Sequence, residues 1–183
     1  GGLVGSGRTE LVRSIFGADP IDNGETYISG KKQKIKSPLD AIRAGIVLIP
    51  EDRKNQGIIK KMSVADNITL AIIKTISHLF VIKRSKKNNI VNEYIERLNI
   101  KISSKNEKVL NLSGGNQQKV VISKMMATNA DIIILDEPTR GIDIGAKHEI
   151  YEIMNNLALT GKTIIMISSD MVELLGISDR LIV

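Results

Sequence analysis

The chain has 183 residues, 42% of them hydrophobic, enough to bury a sizeable core in one domain. Its formal charge of +6 is spread over Lys31–Lys36, Lys60–Lys61, Lys83–Lys87 and Lys101–Lys108, and such scattered runs identify no partner. With no Cys, disulfides and thiolate metal sites are excluded, and no apolar run is long enough to be a signal peptide or to span a bilayer, so the expected compartment is the cytosol.

In chain order, Leu3-Val4 leads into a Gly-rich loop, and Thr9 to Phe16 reads as a helix stopped by Gly17 and Pro20. Asn23-Gly24 and Ser29-Gly30 are turn signals around Thr26-Tyr27-Ile28, which predicts short antiparallel strands. Ser37-Pro38 opens a brief helix to Arg43, and Ile46 to Ile49 is a buried strand. From Ser63 to about Asn99 the pattern is helical and polar, with Ile90, Tyr94, Ile95 and Leu98 at helix spacing. A helix follows Gly115, then a strand over Asp131 to Leu135, a helix over Lys147 to Leu159, a strand over Thr163 to Ile167 and a short helix over Met171 to Leu175. Ile182-Val183 reads as the start of another strand. Apolar strands alternating with amphipathic helices predict an α/β fold with a parallel sheet covered on both faces, and the middle helices read as an inserted subdomain.

Two segments carry chemistry. Gly2-Leu3-Val4-Gly5-Ser6-Gly7-Arg8-Thr9 fits the phosphate-loop pattern G-x-x-x-x-G-K-[ST], except that Arg8 replaces Lys. Its glycines let backbone N–H groups turn inward as an anion nest, the next helix offers its positive end, and Thr9 is placed to ligate Mg²⁺. Arg8 keeps the charge but brings a broad planar fork where a slim ammonium fits. Ile132 to Leu135 is an aliphatic strand ending in Asp136-Glu137, and ligands of open parallel sheets sit at such carboxyl ends. Asp136 is a Mg²⁺ partner, and Glu137 a base for the water that attacks a γ-phosphate. Two acids before Pro138 also make an ordinary strand end; the phosphate loop tips the reading toward chemistry.

Leu112-Ser113-Gly114-Gly115-Asn116-Gln117-Gln118-Lys119 resembles the signature motif of ATP-binding cassette (ABC) ATPases, Leu135-Asp136-Glu137-Pro138-Thr139 their metal and base segment, and Arg140-Gly141-Ile142-Asp143 their D-loop. Three linked motifs in this order, with helices inserted before the signature, carry a resemblance that covers essentially the whole chain. The stretch Gly2 to Glu10, Glu51-Asp52-Arg53-Lys54, Asn116 in the signature, and Arg140 to Lys147 resemble, more narrowly, the second cassette of tandem-cassette ATPases serving bacterial monosaccharide importers. The resemblance implies a P-loop NTPase fold, a RecA-like sheet with flanking helices, short antiparallel strands and an inserted helical subdomain. It implies one incomplete domain over 1–183, truncated at both ends, with the nucleotide-binding core at about 1–56 and 119–183 and the helical signature subdomain at about 57–118.

The implied site comprises Gly2, Gly5, Ser6, Gly7, Arg8, Thr9 and Glu10 for nucleotide, Thr9 and Asp136 for Mg²⁺, and Glu137 for catalysis. Leu112, Ser113, Gly114, Gly115, Asn116 and Gln117 would face the ATP of a partner cassette, with Asp143 in the D-loop. Glu51 stands at the Q-loop position, where Gln is usual, and Ser169 at the switch position, where His is usual. With Arg8, these departures imply a slow site on this chain's own loop, most hydrolysis falling to the site that Ser113–Gly115 complete on the partner. ATP and Mg²⁺ are the implied ligands. The implied partners are a second cassette, transmembrane permease subunits and, indirectly, a sugar-binding protein, at the cytoplasmic face of the inner membrane. Ile58, Ile59 and Met62 are weighed as a groove for the permease against plain core packing. A cassette ATPase acting on nucleic acid is the rival, disfavoured because too few residues separate Glu51 from the signature for coiled-coil arms and no Cys is present for zinc modules. A regulatory pseudo-ATPase is the third reading. His78 and His148 are isolated from each other and read as packing or surface residues.

Overall fold

The structure, a computed structural model, describes residue 1 and residues 5–182. Gly2, Leu3, Val4 and Val183, on which parts of the phosphate-loop and terminal-strand expectations fall, lie outside the described residues. The chain divides into two compact units, Gly1–Glu51 with Ala130–Arg140 and Met154–Val183, and Asp52–Asn129 with Gly141–Ile153. The second unit takes in the whole of the helix that follows Ser113 and the stretch Gly141–Ile153.

In the first unit, helix α1 (Arg8–Ile15) starts directly after Gly7, which adopts the left-handed conformation. It ends before Gly17 (φ 72°), where an added Cβ would lie 2.8 Å from the Ser37 backbone, so only Gly fits this turn. Arg13 forks onto Asp19 at 2.6 and 2.8 Å and fixes the chain beyond the helix. Strands β1 (Thr26–Ile28) and β2 (Lys31–Gln33) pair antiparallel around Ser29-Gly30. Helix α2 (Pro38–Arg43) has Pro in its first turn and the Ser37 side chain as its cap.

Strands β3 (Ile46–Ile49), β6 (Ile132–Asp136) and β7 (Thr163–Ile167) form a parallel sheet in the order β3-β6-β7. The register sets Ile49 beside Leu135 and Asp136 beside Ile167, so the acidic end of β6 projects from the carboxyl edge. β3 is buried along its length, which is why it reads as an unbroken aliphatic run, whereas β7 leaves Thr163 and Ile165 exposed. Val12 of α1, Phe16 at its C-cap, Ala41 of α2, Ile46, Leu48, Ile134 and Ile167 form one core, which anchors the helix behind the glycine loop to the sheet. Ile182 lies in no strand. Helix α8 (Met171–Ile177) is capped by Asp170, which accepts from the Val172 and Glu173 amides.

In the second unit, Asp52 caps a π-helical turn over Arg53–Gly57. Helices α3 (Val64–Thr69) and α4 (Ile73–Ile76), joined by a 3₁₀ turn, lead to a hairpin of β4 (Ser77–His78) and β5 (Val81–Ile82), then α5 (Arg84–Arg97). The expected helical stretch is thus broken by a hairpin that polar periodicity did not announce. Helix α6 (Gly114–Met126) packs on α3, with Val120, Val121 and Ile122 fully buried. Helix α7 (Ile144–Leu159) begins here, and its last residues belong to the first unit. Ile58 is buried, Ile59 is 45% exposed and Met62 lies between, so the three do not form one exposed apolar surface.

Candidate functional site

Gly5 (φ 83°) and Gly7 (φ 80°) both take the conformation that L side chains avoid, and nothing stands within 4 Å of where a Cβ would be. The loop is open above them: Gly5, Ser6 and Gly7 are exposed, and no side chain caps α1. A helix start left without a side-chain cap presents N–H groups and a positive dipole end to whatever lies in front of it. Glu10, in the first turn, is exposed.

Across from the loop stands the end of β6. Asp136 is 1% exposed; the Thr9 hydroxyl hydrogen-bonds its carboxylate, and its Oδ1 has no partner among the described residues. Burial pushes the carboxyl above its usual range; the Thr9 bond and nearby Arg8 pull down, while Glu137 and Glu10 push up. An orphaned buried carboxylate oxygen beside a Thr hydroxyl fits a hard divalent cation, which takes oxygen ligands. Among the described residues no three His, Asp or Glu side chains gather as a metal cluster, so Mg²⁺ held by Thr9 and Asp136 would need phosphate oxygens to complete its shell.

Glu137 follows in the left-handed region (φ 46°), which costs a non-Gly residue about 1–2 kcal/mol. Its amide donates to the Ile167 carbonyl at 2.9 Å and its carbonyl accepts from Arg140 at 3.1 Å, and these bonds hold the turn. Arg8 donates through Nη1 to the Ser168 carbonyl at 2.5 Å and lies 3.9 Å from Glu137 Oε1. The Arg8 fork is therefore already engaged by Ser168, the residue after β7, and by Glu137.

Residues that the sequence did not single out brace this end of the sheet. The Thr139 and Ser168 hydroxyls both donate to the carboxylate of Glu173, all three side chains being buried. The signal was there in outline: a Glu inside the apolar run Met171 to Leu175. Ser169 is exposed. Glu51 forms an ion pair with Arg140.

The second unit carries the signature residues. Ser113 caps α6, accepting from the Asn116 amide at 3.4 Å and from its side chain at 3.0 Å, and Asn116 accepts from the Lys101 amide at 2.9 Å. Added Cβ atoms would stand 2.8 Å from Arg53 Nη2 at Gly114 and 2.6 Å from Ala146 Cβ at Gly115, so both positions need Gly for close packing. Arg53, unremarked in the sequence beyond its place after Glu51, is buried and donates to the Gly141 carbonyl at 3.1 Å. Asp143 caps α7 through the Ala146 amide at 2.9 Å. Lys119, 2% exposed, pairs with Glu149 at 2.8 Å and donates to the Asn99 carbonyl at 3.0 Å, which ties α7 to α6 and holds the Glu149 carboxyl below its usual range. Ser113, Asn116, Lys101, Asp143, Gly145 and Glu149 thus border a hollow of about 260 Å³ at the starts of α6 and α7. Gln117 does not join it: the side chain is buried and donates to the Leu112 and Val109 carbonyls, so it shapes the loop instead of facing a ligand.

A family model described as ABC transporter matches residues 1–140. The ribose import ATP-binding protein RbsA of Geobacillus kaustophilus (strain HTA426) is 53% identical over 182 residues, covering 100% of this chain and 37% of that protein. The galactose/methyl galactoside import ATP-binding protein MglA of Clostridium tetani (strain Massachusetts / E88) is 49% identical over 184 residues, again 100% of this chain and 36% of that protein. This chain therefore spans little more than a third of the curated relatives it matches. Among solved structures, an ATP-binding cassette of an ABC transporter superposes with a TM-score of 0.82 at 25% identity, over 97% of this chain and 72% of that one. Another cassette, solved as a dimer in a post-hydrolysis state with ADP and Pi, matches with a TM-score of 0.73 at 22% identity, over 91% of this chain and 71% of that one.

Proposed function

The chain belongs to the ABC transporter family, and on that premise we propose that it is the ATP-binding and ATP-hydrolysing part of a transporter that energises monosaccharide uptake. The observation that carries the chemistry is the orphaned Asp136 oxygen beside Thr9, at the carboxyl end of a parallel strand and facing an open glycine loop. The phosphate chain lies along Gly5–Gly7 and the start of α1, whose amides and dipole take its charge. Bound Mg²⁺ would be held by Thr9 and Asp136 and would neutralise charge on the phosphate oxygens. Glu137 takes a proton from the attacking water as the new P–O bond forms and the bond to ADP breaks. The left-handed backbone at Glu137 is what aims this carboxylate off the strand end.

The hollow at Ser113 and Asn116 is the surface offered to a partner cassette's nucleotide. Two cassettes then close on ATP, as would suit the dimeric ADP-bound relative. Sugar import is supported by the ribose and galactose import functions of relatives about 50% identical over the whole chain; a permease and a sugar-binding protein follow from that reading, as does a place on the cytoplasmic face of the membrane. Among the described residues no helix is long and apolar enough to cross a membrane. Engagement of Arg8 by Ser168 and Glu137 supports a slow site on this chain's own loop.

The test is ATP turnover and sugar uptake in the assembled transporter carrying Glu137→Gln, Gly115→Asp or Arg8→Ala. Gly115→Asp is expected to depress uptake more than Arg8→Ala. The reverse order overturns the asymmetry, and turnover untouched by all three overturns the motor reading in favour of a regulator.

A further inference from the structure

The β4–β5 hairpin breaks two local rules at once. His78 pairs with Val81 across a two-residue turn whose central residues, Leu79 (φ 48°) and Phe80 (φ 65°), are both left-handed. That turn type is dominated by Asn-Gly and Asp-Gly because bulky side chains are strained there. Leu79, Phe80 and Val81 are 80%, 104% and 70% exposed, so no packing within the chain offsets the strain. Strain kept at a fully solvated apolar tip points to a use outside the fold.

Charge supplies the second observation. From Asn67 to Asn92 the sequence has no Asp or Glu but has Lys74, Lys83, Arg84, Lys86 and Lys87. Lys87 is taken by Asp66, and Lys86 donates to the Thr75 carbonyl at 3.1 Å. Lys74, Lys83 and Arg84 are exposed and form no ion pair among the described residues. Third, α5 starts without a side-chain cap and without an acidic residue in its first turn, where Arg84, Lys86 and Lys87 instead load positive charge onto the positive helix end. That arrangement opposes helix stability and favours an anion in front of the helix.

An apolar wedge ringed by cations is the chemistry of an interfacial anchor: rings and aliphatics enter the acyl boundary while Lys and Arg reach headgroup phosphates. We propose that the hairpin Ser77–Ile82, with Lys74, Lys83 and Arg84, docks on the surface of an anionic phospholipid bilayer. This contact stands on the second unit alone and does not depend on the nucleotide reading.

The experiment measures partition of the chain, without nucleotide, onto phosphatidylcholine vesicles with and without phosphatidylglycerol. The sequence has no Trp, so Phe80→Trp gives a reporter whose emission shifts to the blue and is quenched by brominated acyl chains if the tip inserts. Binding is expected only with phosphatidylglycerol. Lys83→Gln with Arg84→Gln should weaken it about 30-fold, at roughly fivefold per cation near an anionic surface. Leu79→Asn with Phe80→Gly should weaken it by more than about tenfold, while the thermal midpoint stays level or rises, because the turn then has its preferred residues. Equal binding to both vesicle types, no binding to either, or full retention by the Asn-Gly hairpin overturns the proposal. So does self-association that the Asn-Gly hairpin abolishes in the absence of vesicles, which would assign the tip to a second copy of the chain or to another protein surface.

Discussion

Asp136→Asn separates what the site costs from what it does. The wild-type carboxylate is 1% exposed, keeps only the Thr9 hydroxyl as a described partner and leaves Oδ1 orphaned. A buried group left unsatisfied costs about 1–3 kcal/mol, more when charged. Asn keeps the size and an acceptor for Thr9 but removes the charge, so the metal-free variant should be more stable by about 1 kcal/mol, which in a chain of this size raises Tm by about 2–4 °C. The pH dependence fixes the sign. Burial raises the folded carboxyl above its unfolded value, so between the two values the folded state holds more protons than the unfolded one. Stability therefore falls as pH rises through that window, and the loss is complete above the folded value. The gap between Asp136→Asn and wild type should be absent in strong acid and should open as pH rises through that window. Thermal melts in chelator without nucleotide, at acid and neutral pH, measure it; Mg²⁺ with ATP should then raise the wild-type Tm but not the variant's. A variant that melts below wild type at neutral pH in chelator would refute the reasoning, since it would mean the carboxylate is compensated by contacts other than a cation.

Three further outcomes follow from the same geometry. Gly115→Ala should cost about 1–3 kcal/mol by overpacking, because its Cβ would stand 2.6 Å from that of Ala146; adding Ala146→Gly should recover part of the loss, and a double-mutant cycle in urea reads the coupling. Lys124 is buried and donates to the Gly57 carbonyl, and burial lowers its ammonium from 10.5 to about 8. In that window the unfolded state binds more protons, so stability rises with pH from about 8 to 10.5, on the order of 3 kcal/mol, and Lys124→Met should flatten that slope in urea melts. Glu137→Asn should stabilise the fold by about 1 kcal/mol, because Asn tolerates the left-handed region, while ATP turnover from this site is lost.

Much of the core was legible because its elements obey local rules. β3 and β6 are unbroken aliphatic runs, Ser37-Pro38 is a helix start, and Gly7 and Gly17 bracket α1 as expected. The helical unit was less legible. Its boundaries are set by which side chains touch, and α6 is buried around most of its circumference, including Gln117, Gln118, Lys119 and Lys124. A polar pattern reads as a surface helix until the partners of those polar groups are known. The Thr139–Ser168–Glu173 brace escaped for the same reason: its members lie 34 and 5 residues apart, and only the parallel pairing of β6 with β7 brings them together.

Several of the local rules this chain violates fall at the sites proposed for its ligands. Left-handed Glu137 and orphaned Asp136 share one strand end, both signature glycines sit closer to Arg53 and Ala146 than any Cβ allows, and Arg8 spends its fork on a carbonyl. The left-handed Glu137 and the orphaned Asp136 oxygen each lower the stability of the isolated chain, and under the proposed function a triphosphate with a cation would relieve or use them. Leu79-Phe80 is a violation that nucleotide does not explain, and unlike left-handed Ser29, Asn99 and Asn129 it places two large apolar side chains in solvent. A strained, solvated phenyl ring is accounted for if the ring is solvated only when the chain is alone, and this is the physical ground for seeking its second environment in lipid.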